Sequence, residues 1–266
     1  ISTEFTRNSP SKRDLILQYG EDKLVEKLTI VKQYYSALLI SLIISILSIS
    51  TAFSQIEILY ENPNFSKSIF VLTTTKGYVH KDAIPAGKNL IKKLGKSNNF
   101  EVYHSKNPES IESIDFMNFD AIVFLCTTLN IFNENQQEIF KSFIQSGKGF
   151  VGIHSAADTE YDWSWYGNLV GAYFVSHPKG TPKASIQTSL EDSFFTSHLN
   201  QRWEIEDEWY NYDFKNANII PLLYLDETTY EGGKNGSYHP IAWYHEFDGG
   251  RSFYTGMGHA KSTYED

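Results

Sequence analysis

The chain has 266 residues, 41% hydrophobic, 15% aromatic and 21% charged, enough apolar material for one sizeable core. A formal net charge of -9 gives no basic field to hold a phosphate backbone, which argues against nucleic-acid binding. The single Cys126 excludes an internal disulfide framework and any cysteine-based zinc site.

Residues 1–31 are polar and charged and match no recognisable pattern, an unassigned extension. The chain opens on Ile1, and its only methionines are Met117 and Met257, so it reads as a fragment or an over-extended reading frame. Residues 32–54 read as a secretory signal: Lys32, the apolar stretch Ala37–Ile49, then Ala52 and Ser54 as the small residues before a cut. The stretch is shorter than the roughly 20 residues of a membrane span. A periplasmic or extracellular protein without a stable span after cleavage is expected. Residues 55–66 form a short linker, and 67–266 one domain.

From Lys67 the pattern alternates. Ser68–Thr75 is a β-branched apolar run ending in threonines. A helix follows with Asp82 as N-cap, Ala86, Leu90, Ile91 and Leu94 on one face, and Gly95 closing it. Phe100–Ser105 alternates as a strand, and Ala121–Thr128 is a continuous apolar run of the kind covered on both faces. The next helix has Asn133 as cap with Gln136 reaching back, a buried stripe of Ile139, Phe140, Phe143 and Ile144, and Gly147 at its end. Phe150–Ile153 then delivers His154 to a turn. This is a doubly wound α/β layout, in which ligands bind at the carboxyl ends of the strands. That rule gathers Thr73–His80, Thr127–Asn130 and His154–Asp158 on one rim. The later part is richer in strands and includes a hairpin turning at Asp248-Gly249-Gly250. The chain stops at Asp266 where a helix begins, so the domain reads as truncated at its C-terminus.

Five histidines fall at expected strand ends or in motif-like runs: His80, His154, His177, His245 and His259. Burying several imidazoles together is costly unless something needs them, and imidazole serves proton transfer and metal ligation alike. His104 and His198 read as surface residues, and His239 is ambiguous. Asp158 and Glu208 are the acids placed to join the histidines. Glu206 and Asp207 read as a solvated face. Trp163, Trp209 and Tyr210 are core residues or sugar-stacking platforms, and Cys126 reads as a small core residue.

The blocks "TTTKGYVHKDAIPAG", "FLCTTLNIFNENQQEIF", "GKGFVGIHSAADTEYDWSWYGNLVGAYFVSHP", "DEWYNY" and "HPIAWYHEFDGGRSFYTGMGH" resemble, in order, the trehalose-utilisation (ThuA-like) family. The resemblance implies a three-layer α/β/α flavodoxin-like fold related to the class I glutamine amidotransferases. Those enzymes place a nucleophilic cysteine where this chain has His154, and a glutamate where it has Lys261, so amidotransferase chemistry does not carry over. It implies instead an exported protein acting on a sugar, a glycoside or a 3-keto-glycoside, by lyase or hydrolase chemistry. His154, His259, Glu208 and Asp158 are the expected catalytic groups. Gly77, Tyr78, His80, Thr127, Thr128, Trp163, His177, Trp209 and Tyr210 are the expected substrate contacts. A divalent metal such as zinc on His80, His154, His177 and His259 is one route, and metal-free proton transfer another. A carbohydrate-binding domain that kept the fold and lost the chemistry is the alternative.

Overall fold

The computed structural model describes residues 57–60, 67–113, 115–189 and 195–265. The extension (1–31) and the signal (32–54) therefore lie outside the described residues. The first half runs β1 (Glu57–Tyr60), β2 (Lys67–Leu72), α1 (Ala83–Asn98), β3 (Phe100–Ser105), β4 (Ala121–Leu125), α2 (Glu134–Gln145), β5 (Gly149–Ile153) and α3 (Ser164–Val170). The second half is strands: β6 (Ala172–Ser176), β7 (Lys183–Thr188), β8 (Arg202–Glu206), β9 (Asn211–Phe214), β10 (Ile220–Asp226), β11 (Pro240–Phe247) and β12 (Gly250–Thr255).

Ten strands form one mixed sheet in the order β1-β3-β2-β4-β5-β12-β11-β10-β7-β8, and β6 pairs β9 in a small separate sheet. Strands β3, β2, β4, β5 and β12 are parallel. Beyond β12 every pairing is antiparallel, as is β1 on β3. The doubly wound pattern thus covers half of a larger mixed α/β sheet. β11 and β12 are joined by the tight turn at Asp248 and Gly249, and an antiparallel neighbour needs no crossover helix.

Period-two alternation sends the parallel strands' side chains into two cores. Phe70, Leu72, Ile122, Phe124 and Phe150 meet Phe140, Phe143 and Ile144 of α2 and Tyr166 and Leu169 of α3. Val71, Val102, Val123 and Leu125 meet Ala83 and Ile91 of α1. Phe124 stacks on Phe140 at 5.3 Å between centroids and meets Phe150 edge-on, so Phe124→Ala would cost about 3–5 kcal/mol.

The α2 reading is met in detail, with a full Asn133–Gln136 capping box; Gln136 is buried as well, and Ile139 only partly. The α1 reading needs correction. Asp82 makes no side-chain cap bond, and the helix runs past Gly95 to a left-handed Asn99 (φ 57°) whose N–H bonds Gly95 O. Its buried face is Ala83, Gly87, Ile91 and Gly95, while Leu94 is 44% exposed. Small residues were needed there: a Cβ on Gly87 would meet Leu125 Cδ1 at 2.7 Å. The helix begun near the C-terminus is a short 3-10 turn, Lys261–Tyr264. No described helix is long and apolar enough to cross a membrane.

Candidate functional site: four converging side chains at the strand ends

The rim is built by backbone turns at the carboxyl ends of the parallel strands. After β2 the chain bridges to the β4 end at Thr75–Thr128, and the β4 end bridges on at Leu129–Thr159. The Thr128 hydroxyl takes the Gly77 N–H at 3.0 Å and donates to Tyr78 O at 3.3 Å, pinning the loop that carries His80. Thr127 spends its hydroxyl on Thr159 at 2.8 Å. Both threonines are fully buried, so they shape the loop from beneath rather than facing a ligand.

His154 follows β5 directly with φ +52°, a left-handed conformation rare for a residue with a Cβ. Such strand-to-helix turns present a side chain at the edge of a sheet. Tyr254 donates its hydroxyl to His154 O at 2.7 Å and holds the turn. The imidazole is wholly buried, with Nδ1 2.9 Å from Gly256 O. A carbonyl only accepts, so Nδ1 carries a proton and, in the neutral ring, Nε2 presents a lone pair. That Nε2 lies 3.4 Å from Glu208 Oε2.

His259, after β12, brings Nδ1 to 3.2 Å from the same Oε2. His80 stands edge-on to His154, with ring centroids 4.7 Å apart, and edge-on to His259 at 5.1 Å. Ser155 Oγ lies 3.5 Å from His80 Nδ1. His80, His154, Glu208 and His259 each offer a ligand atom, all within 4.8 Å of one another. His80 Nε2, His154 Nε2 and His259 Nδ1 are buried with no hydrogen-bond partner, which is what a set of ligand atoms looks like without its ion.

The charges are interdependent. Burial works against the Glu208 carboxylate, but the close His154 and His259 rings, which attract it when they carry a proton, outweigh that and hold the carboxyl far below its ordinary range. The Glu208 carboxylate 3.2 Å away likewise raises His259. Burial, with repulsion from His154 and His259, lowers His80 to about 3, so this ring stays neutral across the physiological range.

The other expected residues take different places. His177 is exposed at the opposite face of the carboxylate, Nδ1 3.3 Å from Glu208 Oε1 and 2.7 Å from Pro178 O, outside the converging four. Asp158 accepts from Tyr161 OH at 2.6 Å, and burial raises its pKa. Tyr210 is buried against His154 at 4.4 Å, behind the site. Tyr78 is 65% exposed, edge-on to His80 and stacked towards His259, the aromatic best placed to meet a ligand. Trp209 is wholly buried with Nε1 bonded to Pro182 O, and Trp163 packs on Phe140, Trp165 and Tyr166, so neither offers a face at this rim. His245 lies inside β11, bonded to Asn168 O, not at a strand end.

Sequence reasoning also placed two buried residues at the surface. His104 is buried on β3 and bonded to Thr73 Oγ1; its parity with Val102 was the available signal. Asp207 is not solvated at all but fully buried, and the adjoining Trp209 and Tyr210 were the clue that the chain turns inward after β8. His239 pairs with Glu227 at 2.7 Å in the interior.

The ThuA family model, described as trehalose utilisation, matches residues 68–266. The fold is similar to that of a ThuA-like protein from Bacteroides uniformis: 19% identity, TM-score 0.65, 78% of this chain and 88% of that one. It is also similar to a ThuA-like protein from Parabacteroides merdae, at 18% identity and TM-score 0.60 over 73% of this chain and 80% of that one. A β-galactosidase from Bacillus circulans sp. alkalophilus shares the fold over 72% of this chain and 28% of its own, at 12% identity and TM-score 0.51. No curated protein matches. With the family model spanning three quarters of the sequence and the sheet and rim in place, the chain belongs to the ThuA family.

Proposed function

We propose that this ThuA protein is a sugar-processing enzyme whose centre, His80, His154, Glu208 and His259, holds a divalent cation such as zinc. One contact carries the reading. In the neutral His154 ring, whose proton Gly256 O fixes on Nδ1, Nε2 and Glu208 Oε2 face each other as two acceptors 3.4 Å apart, which is unfavourable unless a proton or a metal cation lies between them. Neutral imidazoles with one carboxylate are the donor set of zinc and related ions, and a bound ion would polarise a sugar carbonyl or hydroxyl.

The family description supports a carbohydrate substrate. Tyr78 offers an exposed ring beside the centre for stacking on a sugar's apolar face. A 3-keto-glycoside suits the remaining groups. The C–H at C2, next to the ketone, is acidified. Asp158, its pKa raised by burial, is the base that takes this proton. The C–H electron pair forms the C1=C2 bond, the C1–O bond to the leaving alcohol breaks, and that alcohol oxygen takes up a proton. The neighbouring His259–Glu208 contact, at 3.2 Å, supports a metal-free version in which His259, held protonated by Glu208, supplies that last proton. Release of the alcohol from a 3-keto-glycoside, followed chromatographically, tests the proposal: turnover by the wild type and its loss in Glu208→Gln and Asp158→Asn is expected. Tight binding without turnover would instead make this a carbohydrate-binding domain. We further read the parallel strands, in the order β3-β2-β4-β5-β12, as a flavodoxin-like three-layer unit, and, from the 32–54 segment, place the protein outside the cytoplasm.

A further inference from the structure

Asp207, adjacent to Glu208, spends its side chain on backbone N–H groups and the Thr263 hydroxyl rather than on the four converging rings and carboxylate. Its carboxylate is fully buried and accepts four hydrogen bonds. Oδ1 takes the backbone N–H of Glu208 at 2.8 Å and of His259 at 3.0 Å. Oδ2 takes the N–H of Gly258 at 2.7 Å and the hydroxyl of Thr263 at 2.9 Å. Two of these donors belong to members of the centre, and the other two flank His259 in the segment leaving β12. Glu208 and His259 come from loops far apart in sequence, after β8 and after β12, and Asp207 is bonded to both.

We infer that Asp207 is the positioning residue of the centre, setting the spacing between Glu208 and His259 and hence the affinity for a cation. This rests on reading the four side chains as a cation site. Only an anionic acceptor satisfies four donors at once. An amide in its place keeps one acceptor oxygen and turns an NH2 towards two of the donors, so the His259 segment loses one or two of its three bonds to this side chain while the side-chain volume is unchanged. Groups that hold ligands in place without touching the metal typically control affinity by roughly 10–100-fold.

The test is a titration of the chelator-treated chain with cobalt(II), reading both the affinity and the visible d–d spectrum, for wild type, Asp207→Asn and Thr263→Val. Alongside it, amide hydrogen exchange is measured at Glu208, Gly258 and His259, with Phe253 and Tyr254 of β12 as internal references. Asp207→Asn is expected to keep its circular dichroism, weaken cobalt binding by roughly 10–100-fold, alter the d–d bands, and lose protection at Gly258 and His259 but not in β12. Thr263→Val removes one donor and should give a smaller change in the same direction, which decides the matter if Asp207→Asn does not fold. Unchanged affinity, spectrum and exchange in a folded variant would overturn the inference. A wild type that binds no cobalt would refute the cation reading alone, and the exchange data would still decide whether Asp207 fixes the His259 segment.

Discussion

The ends of β4 and β5 are built alike and used differently. The strands are parallel neighbours with Leu125 opposite Ile153, and each is followed at once by a buried residue at φ +52°, Cys126 and His154. A left-handed residue with a Cβ costs on the order of 1–3 kcal/mol, and the two turns share that burden. The Cys126 thiol lies in the α1-side core with Val71 and Leu125, 3.6 Å from Tyr264 OH. Burial pushes it up to about 12, so it is not a thiolate at any ordinary pH. The His154 ring meets Glu208, His80 and His259. A strained turn at a strand end therefore marks a place where a side chain can be aimed, and the neighbours it meets decide whether chemistry follows.

Replacing the two residues separately breaks the comparison most severely. His154→Ala should abolish bound metal and lower turnover on the order of 10²–10⁴-fold. It should also cost about 1–3 kcal/mol in urea unfolding, because Gly256 O loses its buried donor. Cys126→Ala should leave metal content and turnover at wild-type levels.

His80 gives a pH signature on the active side. Folded His80 stays neutral down to about 3, whereas unfolded it takes up a proton below its ordinary 6.5. The unfolded state then binds more protons, so the stability tied to His80 is full above pH 6.5 and declines as pH falls towards 3. Between pH 7 and 5, metal-free wild type should lose about 2 kcal/mol more than His80→Asn in urea unfolding. Equal losses would show that the ring is not desolvated as described.

The smallest effects belong to the β4 turn. Cys126→Ala should cost about 1 kcal/mol. Iodoacetamide at pH 8 should leave the folded thiol unmodified and label it only in urea, as followed by mass spectrometry; labelling of the folded chain would contradict its placement in the core.

Both turns were legible to different depths. The run Phe150–Ile153 and the doubly wound rule placed His154 at a strand end, because a continuous apolar run and a following turn are local signals. The α2 cap and stripe were readable for the same reason. What was not legible depends on tertiary contact. Gly95 looks like a helix stop but lies buried inside the helix, and Trp209 beside Glu208 looks like a sugar platform until its indole is seen bonded to Pro182 O. The neighbours Trp209 and Tyr210 could hint that Asp207 is buried but not at its role, because its donors at Gly258, His259 and Thr263 are remote in sequence. His177 belongs to the acid's far oxygen rather than to the converging set, a distinction of one carboxylate face that no spacing encodes.

The central claim is that His80, His154, Glu208 and His259 hold a cation. Its most direct measurement is elemental mass spectrometry of the chain purified without chelator or affinity metal, beside His154→Ala and His259→Ala. Near-stoichiometric metal in the wild type, lost in both variants, is the expected result. A metal-free wild type, or metal retained in both variants, would contradict the claim.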